Sequence, residues 1–61
     1  MKIDFRKKQQ SFVNINGLNN VYVWKEKDNF FGVGINGTSE HYKVSKENVL
    51  EKVNVLINFK N

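Results

Sequence analysis

The sequence predicts an α+β domain, a small antiparallel β-sheet of four or five strands in meander order with one C-terminal α-helix packed on one face. Three observations carry this. Apolar residues alternate with period two as far as Val44, a helical stripe replaces the alternation after Ser45, and no proline interrupts either pattern. Sixty-one residues leave room for a single domain, 1–61, with one thin core and no separate catalytic lobe.

The elements follow in order. "KIDFRK" alternates Ile3 and Phe5 with polar residues, and "SFVNI" alternates Val13 and Ile15. "VYVWK" is β-branched and aromatic, and "FFGVGI" and "EHYKV" continue the same period. From Ser45 onward Val49, Leu50, Val53, Leu56 and Ile57 fall on one stripe of a helix. Ser45 is placed as its N-cap, with Glu47 in the first turn and Lys60 past the last turn to suit the helix dipole.

Gly32, Gly34 and Gly37 spell a G-x-G-x-x-G, which invites comparison with dinucleotide-binding loops. That chemistry needs a helix to start directly after the glycines, so that phosphate meets free N–H groups. Here another strand follows. Asn36-Gly37 instead predicts a two-residue type I′ hairpin turn, pairing Val33 with Glu40, Phe31 with Tyr42 and Gly32 with His41. Gly32 and Gly34 then lie inside a strand, where glycine marks a close approach by something else.

What approaches depends on the connection "KEKDN". A loop of three or five residues there places Val13, Ile15, Val21, Val23, Phe31, Val33 and Ile35 under the helix, and leaves Phe12, Tyr22, Trp24 and Phe30 beside the glycines on the opposite face. A two-residue loop on Asp28 and Asn29 instead buries Tyr22 and Trp24. The first register is preferred, because it gives an aliphatic core without leaving Val21 and Val23 in water. The outer face is then aromatic with a glycine floor, a composition suited to the centre of an interface.

A net charge of +4 is concentrated near the N-terminus, where Lys2, Arg6, Lys7 and Lys8 face only Asp4. Such a local patch is a weaker footprint of nucleic-acid binding than a basic face would be. The chain has no cysteine, which excludes disulfides, thiolate metal sites and cysteine nucleophiles. His41 is the only histidine, and Glu40 beside it points to the opposite face of a strand, so the two make no acid–base pair. The acidic residues show no convergent spacing, so neither a metal nor another cofactor is expected, and no enzymatic activity. The start of the chain lacks the apolar segment of a signal peptide and no run reaches a membrane span, so a cytoplasmic protein without membrane contact is expected.

Two function classes remain. In the first, a small inhibitor or modulator docks on a host protein through Trp24, Tyr22, Phe30, Phe12, His41 and Lys43, or through an open sheet edge. A composition rich in Asn and Lys suits an A/T-rich genome, and a short protein of this kind suits a phage or mobile element. In the second, the same aromatics stack on single-stranded nucleic acid while Arg6, Lys7 and Lys8 supply phosphate contacts. In layout alone, four strands followed by a helix, the chain resembles the positive-cofactor-four type of single-strand binders. A thin core and an aromatic surface also predict a homodimer.

Overall fold

The structure is a computed structural model that describes residues 2–14 and 20–58. Four strands, β1 (Gln9–Val13), β2 (Asn20–Lys27), β3 (Phe30–Ile35) and β4 (His41–Ser45), form one antiparallel sheet in the order β1-β2-β3-β4. A single 3₁₀ turn over Lys46–Asn48 leads into the helix α1 (Val49–Ile57). The fold is the α+β meander with a C-terminal helix.

The core is the helix-side face of the two central strands. Val21, Val23, Phe31 and Val33 meet Val49, Val53, Leu56 and Ile57 of α1, all buried, with Phe12, Ile35, Tyr42 and Val44 packed around them. Alternation along β2 and β3 and the helical stripe of α1 bury one set of residues from each element. Leu50 departs from the expected stripe: at 43% exposure it lies on the flank of the helix, away from the core. The α-helix also begins later than expected. Ser45 is extended and makes no side-chain cap; its hydroxyl instead accepts from the Asn48 amide at 3.0 Å, and the 3₁₀ turn intervenes.

The "KIDFRK" stretch is not a strand. Residues 2–8 form an irregular arm whose turn is closed by Lys7 N–H to Asp4 O at 3.1 Å. The amide side chain of Gln10 secures it, accepting from Asp4 N–H at 3.1 Å and donating to Asp4 O at 2.9 Å. Ile3 and Phe5 still reach the core, Phe5 meeting Phe31 edge to face at 5.4 Å between ring centres. The arm thus covers helix-side surface that the nine residues of α1 leave open.

Two turns set the register. At the first, Asp28 and Asn29 form a two-residue turn with Lys27 opposite Phe30, the loop length that by itself would bury Tyr22 and Trp24. A bulge between Lys25 and Lys27 adds one residue to β2, so that Trp24 faces Gly32 and Val23 faces Val33. That extra residue restores the parity that an odd loop was expected to supply. At the second, β3 and β4 pair two residues further apart than a type I′ turn requires, with Val33 opposite Tyr42 and Gly34 opposite His41. Gly37 has φ +88° while Asn36 stays at negative φ, the pattern of a type II turn, closed by Thr38 N–H to Ile35 O at 3.2 Å. A shift of two keeps every side chain on its expected face.

Strand β1 departs from expectation in its facing. Phe12 pairs with Val21, and Val13 with Asn20, so Phe12 turns to the helix and Val13 to the outer face. Of two adjacent apolar residues, the sheet buries the larger, which removes more apolar area from water. Ile15 and Lys60 lie outside the described residues.

Candidate functional site

The face of the sheet opposite α1 is floored by the two strand glycines. Cross-strand rows place Ser11, Tyr22, Gly34 and His41 side by side, and next to them Gln9, Trp24, Gly32 and Lys43. The indole of Trp24 leans across the floor. A Cβ on Gly32 would collide with the ring, and one on Gly34 would stand 3.4 Å from its outer carbons. These two glycines are therefore the room in which Trp24 lies, and the turn glycine Gly37 has no part in it.

Further contacts fix the ring. Trp24 Nε1–H donates to Glu26 Oε1 at 2.6 Å, and the His41 imidazole sits 6.0 Å away between ring centres. The indole is thus half-buried with its one polar group satisfied. On the same face stand side chains with no such shelter: Tyr22 is 40% exposed, Phe30 45% and Val13 55%. Asn20 donates to the Tyr22 hydroxyl at 3.2 Å, which orients that ring along the strand. A depression of about 220 Å³ opens beside Trp24, bounded by Gly34, His41, Thr38, Ser39 and Glu40.

Of the residues singled out from sequence, Trp24, Tyr22, Phe30, His41 and Lys43 come together on this open face. Phe12 does not, because it packs with the core on the helix side. Arg6, Lys7 and Lys8 belong to the arm, whose Phe5 also packs on the helix side. Arg6 is engaged with Asp4, Nε to Oδ1 at 3.1 Å, and its backbone N–H donates to the same oxygen at 3.0 Å. These bonds from Arg6 hold the Asp4 carboxyl below its ordinary range and raise the guanidinium.

Sequence reasoning missed Glu26 and Val13. Glu26 was legible in principle, since it lies two residues from Trp24 on the same strand face; Val13 was hidden by the ambiguity of adjacent apolar residues. Among the described residues no three His, Asp or Glu side chains gather as metal ligands, and no helix is long and apolar enough to cross a membrane. No protein-family model, curated protein or solved structure matches this chain.

Proposed function

We propose that this chain is a non-enzymatic binding protein that docks on a partner protein through the open face of its sheet, with Trp24 at the centre and Tyr22 and Phe30 beside it. The observation that carries this reading is the indole bedded on Gly32 and Gly34, on the face that α1 and the arm leave uncovered. Glycines weaken a strand, and covering them with a ring recovers some of that loss. Cover alone does not call for Tyr22, Phe30 and Val13, which stay exposed on the same face. A rigid aromatic centre with apolar neighbours is the composition of an interface hot spot.

The partner class is a host protein, and the chain acts as a small inhibitor or modulator of phage or mobile-element type in the cytoplasm. Its Asn- and Lys-rich composition supports that setting. The same face serves a homodimer when the partner is absent, with a dissociation constant in the micromolar range or tighter. A second reading, single-stranded nucleic acid stacked on the same rings, draws on Lys43 beside Gly32. It is weakened by the engagement of Arg6 with Asp4.

Capture from a low-GC bacterial lysate by the tagged chain, with and without nuclease, tests both. The expected result is a protein retained after nuclease and lost when Tyr22→Ser and Phe30→Ser are combined. Capture that disappears with nuclease favours nucleic acid, and equal capture by the double variant overturns the open face as the docking surface.

A further inference from the structure

The sheet has two edges, β1 and β4, and they differ in what lies beside them. In an antiparallel ladder successive residues direct their N–H and C=O groups alternately to one neighbour and to the other. Asn36 N–H bonds to Asn20 O at 2.8 Å, which makes Gly34 and Gly32 the residues of β3 bonded to β2. Val33 and Phe31 then bond to Tyr42 and Val44, and Lys46 N–H to Asn29 O at 2.9 Å continues the same alternation. His41 and Lys43 consequently turn their backbone groups outward from the β4 edge. Among the described residues no backbone hydrogen bond outside the sheet uses either of them.

Next to this edge, between β4 and α1, runs a groove of about 250 Å³. Val44 and Val55 form its apolar walls, with Asn48, Glu51 and Lys52 at the rim. Val55 stands outside the buried stripe of α1 and is 55% exposed. Among the described residues, the depression beside the β1 edge is mainly polar, lined by Gln9, Gln10, Ser11 and Tyr22.

We propose that the β4 edge is a strand-addition site for an extended segment of a partner protein in which acidic residues alternate with apolar ones. This rests on the reading of the chain as a protein-binding module and names a second surface with its partner class. In an added strand, residues opposite Tyr42 and Val44 share the helix side; the one opposite Val44 enters the groove against Val55, and the one opposite Tyr42 meets the ring that Lys52 Nζ covers at 3.9 Å. Residues opposite His41 and Lys43 share the open face, where the exposed ammonium of Lys43 favours a carboxylate. A second copy of this chain fits poorly, because two-fold pairing of β4 about Lys43 sets two ammonium groups opposite one another.

The probe is a blocked peptide, Thr-Glu-Val-Glu-Val-Glu-Thr, titrated into the isotope-labelled full chain beside a counterpart with Lys in place of each Glu. The acidic peptide is expected to shift the amide signals of His41 and Lys43, to slow their hydrogen exchange, and to bind at least about tenfold tighter than the Lys peptide. Lys43→Glu reverses that preference, and Val55→Asp abolishes binding of both peptides with its own amide spectrum still folded. Tyr22→Ser with Phe30→Ser leaves peptide binding intact, so failure at the edge and failure of the open face are told apart. Absent shifts, equal affinities for the two peptides, or shifts confined to Gln9–Val13 would overturn the proposal.

Discussion

The helix-side face and the open face of this sheet use the same four strands and the same alternation, yet they hold different side chains in different states. On the helix side Val21, Val23, Phe31 and Val33 are all but removed from water, between α1 and the arm. On the open side one tryptophan is half-buried on two glycines while Tyr22, Phe30 and Val13 remain wet. A sheet closed on one face already has the burial that sets its register, and its other face can carry apolar groups chosen for a different purpose. Open-face residues that merely stabilised the domain would be expected to bury more of themselves.

The largest expected effect lies on the helix side. Phe31→Ala removes the largest fully buried side chain and its edge contact with Phe5, a change that costs about 3–5 kcal/mol in such cores. Against a total stability of about 3–9 kcal/mol for a chain of this size, that removes about a third of the stability or more, and all of it at the low end. Circular dichroism with urea titration reads it, and a midpoint close to the parent's would break the contrast between the faces.

A smaller effect is expected on the open side, from the floor itself. Gly32→Ala puts a methyl group where the indole lies, so Trp24 must lift from the sheet, at about 1–3 kcal/mol for overpacking. Trp24 is the only tryptophan, so its emission reports the displacement directly, moving to the red. Gly34→Ala meets the ring at 3.4 Å and is expected to shift the emission less. Equal shifts from the two variants would contradict the placement of the ring over Gly32.

The smallest effect belongs to the arm. Hydrogen bonds from the Arg6 side chain and backbone depress the Asp4 carboxyl below its usual 3.8. A depressed carboxyl stabilises the fold above its unfolded pKa, and that contribution fades as pH falls through the folded value. Because Asp4 is exposed to solvent screening, the gain is small; it is present above about pH 3.8 and is lost below it. Carbon-detected titration of Asp4 is expected to show the low value in the parent and a higher one in Arg6→Gln, which keeps only the backbone hydrogen bond.

Much of the architecture was legible in the chain because alternation and helical spacing are local. The faces of β2, β3 and β4 and the stripe of α1 follow from them, apart from Leu50. What stayed hidden were insertions of one or two residues that the local pattern does not encode. The bulge after Lys25 is invisible next to a loop of unknown length, and the longer Ile35–His41 connection looks the same as an Asn-Gly turn. Phe12 and Val13 are adjacent and both apolar, so only the packing against α1 decides between them. Ile3 and Phe5 alternate as a strand would, but Gln10 binds the Asp4 backbone and the arm curls over Phe31 instead. The Trp24, Gly32 and Gly34 arrangement was legible because a strand glycine implies a neighbour that needs the space.

The claim that one face folds the domain and the other docks a partner is tested most directly by Trp24→Ala, measured for stability and for association in the same preparation. Truncation of a ring that is only half-buried on an outer face is expected to cost about 1–2 kcal/mol, below the range for a core aromatic. The variant keeps its circular dichroism spectrum, while association by sedimentation and capture from lysate falls by 2 kcal/mol or more, roughly thirtyfold in affinity. A variant that unfolds, or one that stays folded and associates as the parent does, would contradict this division of labour between the two faces.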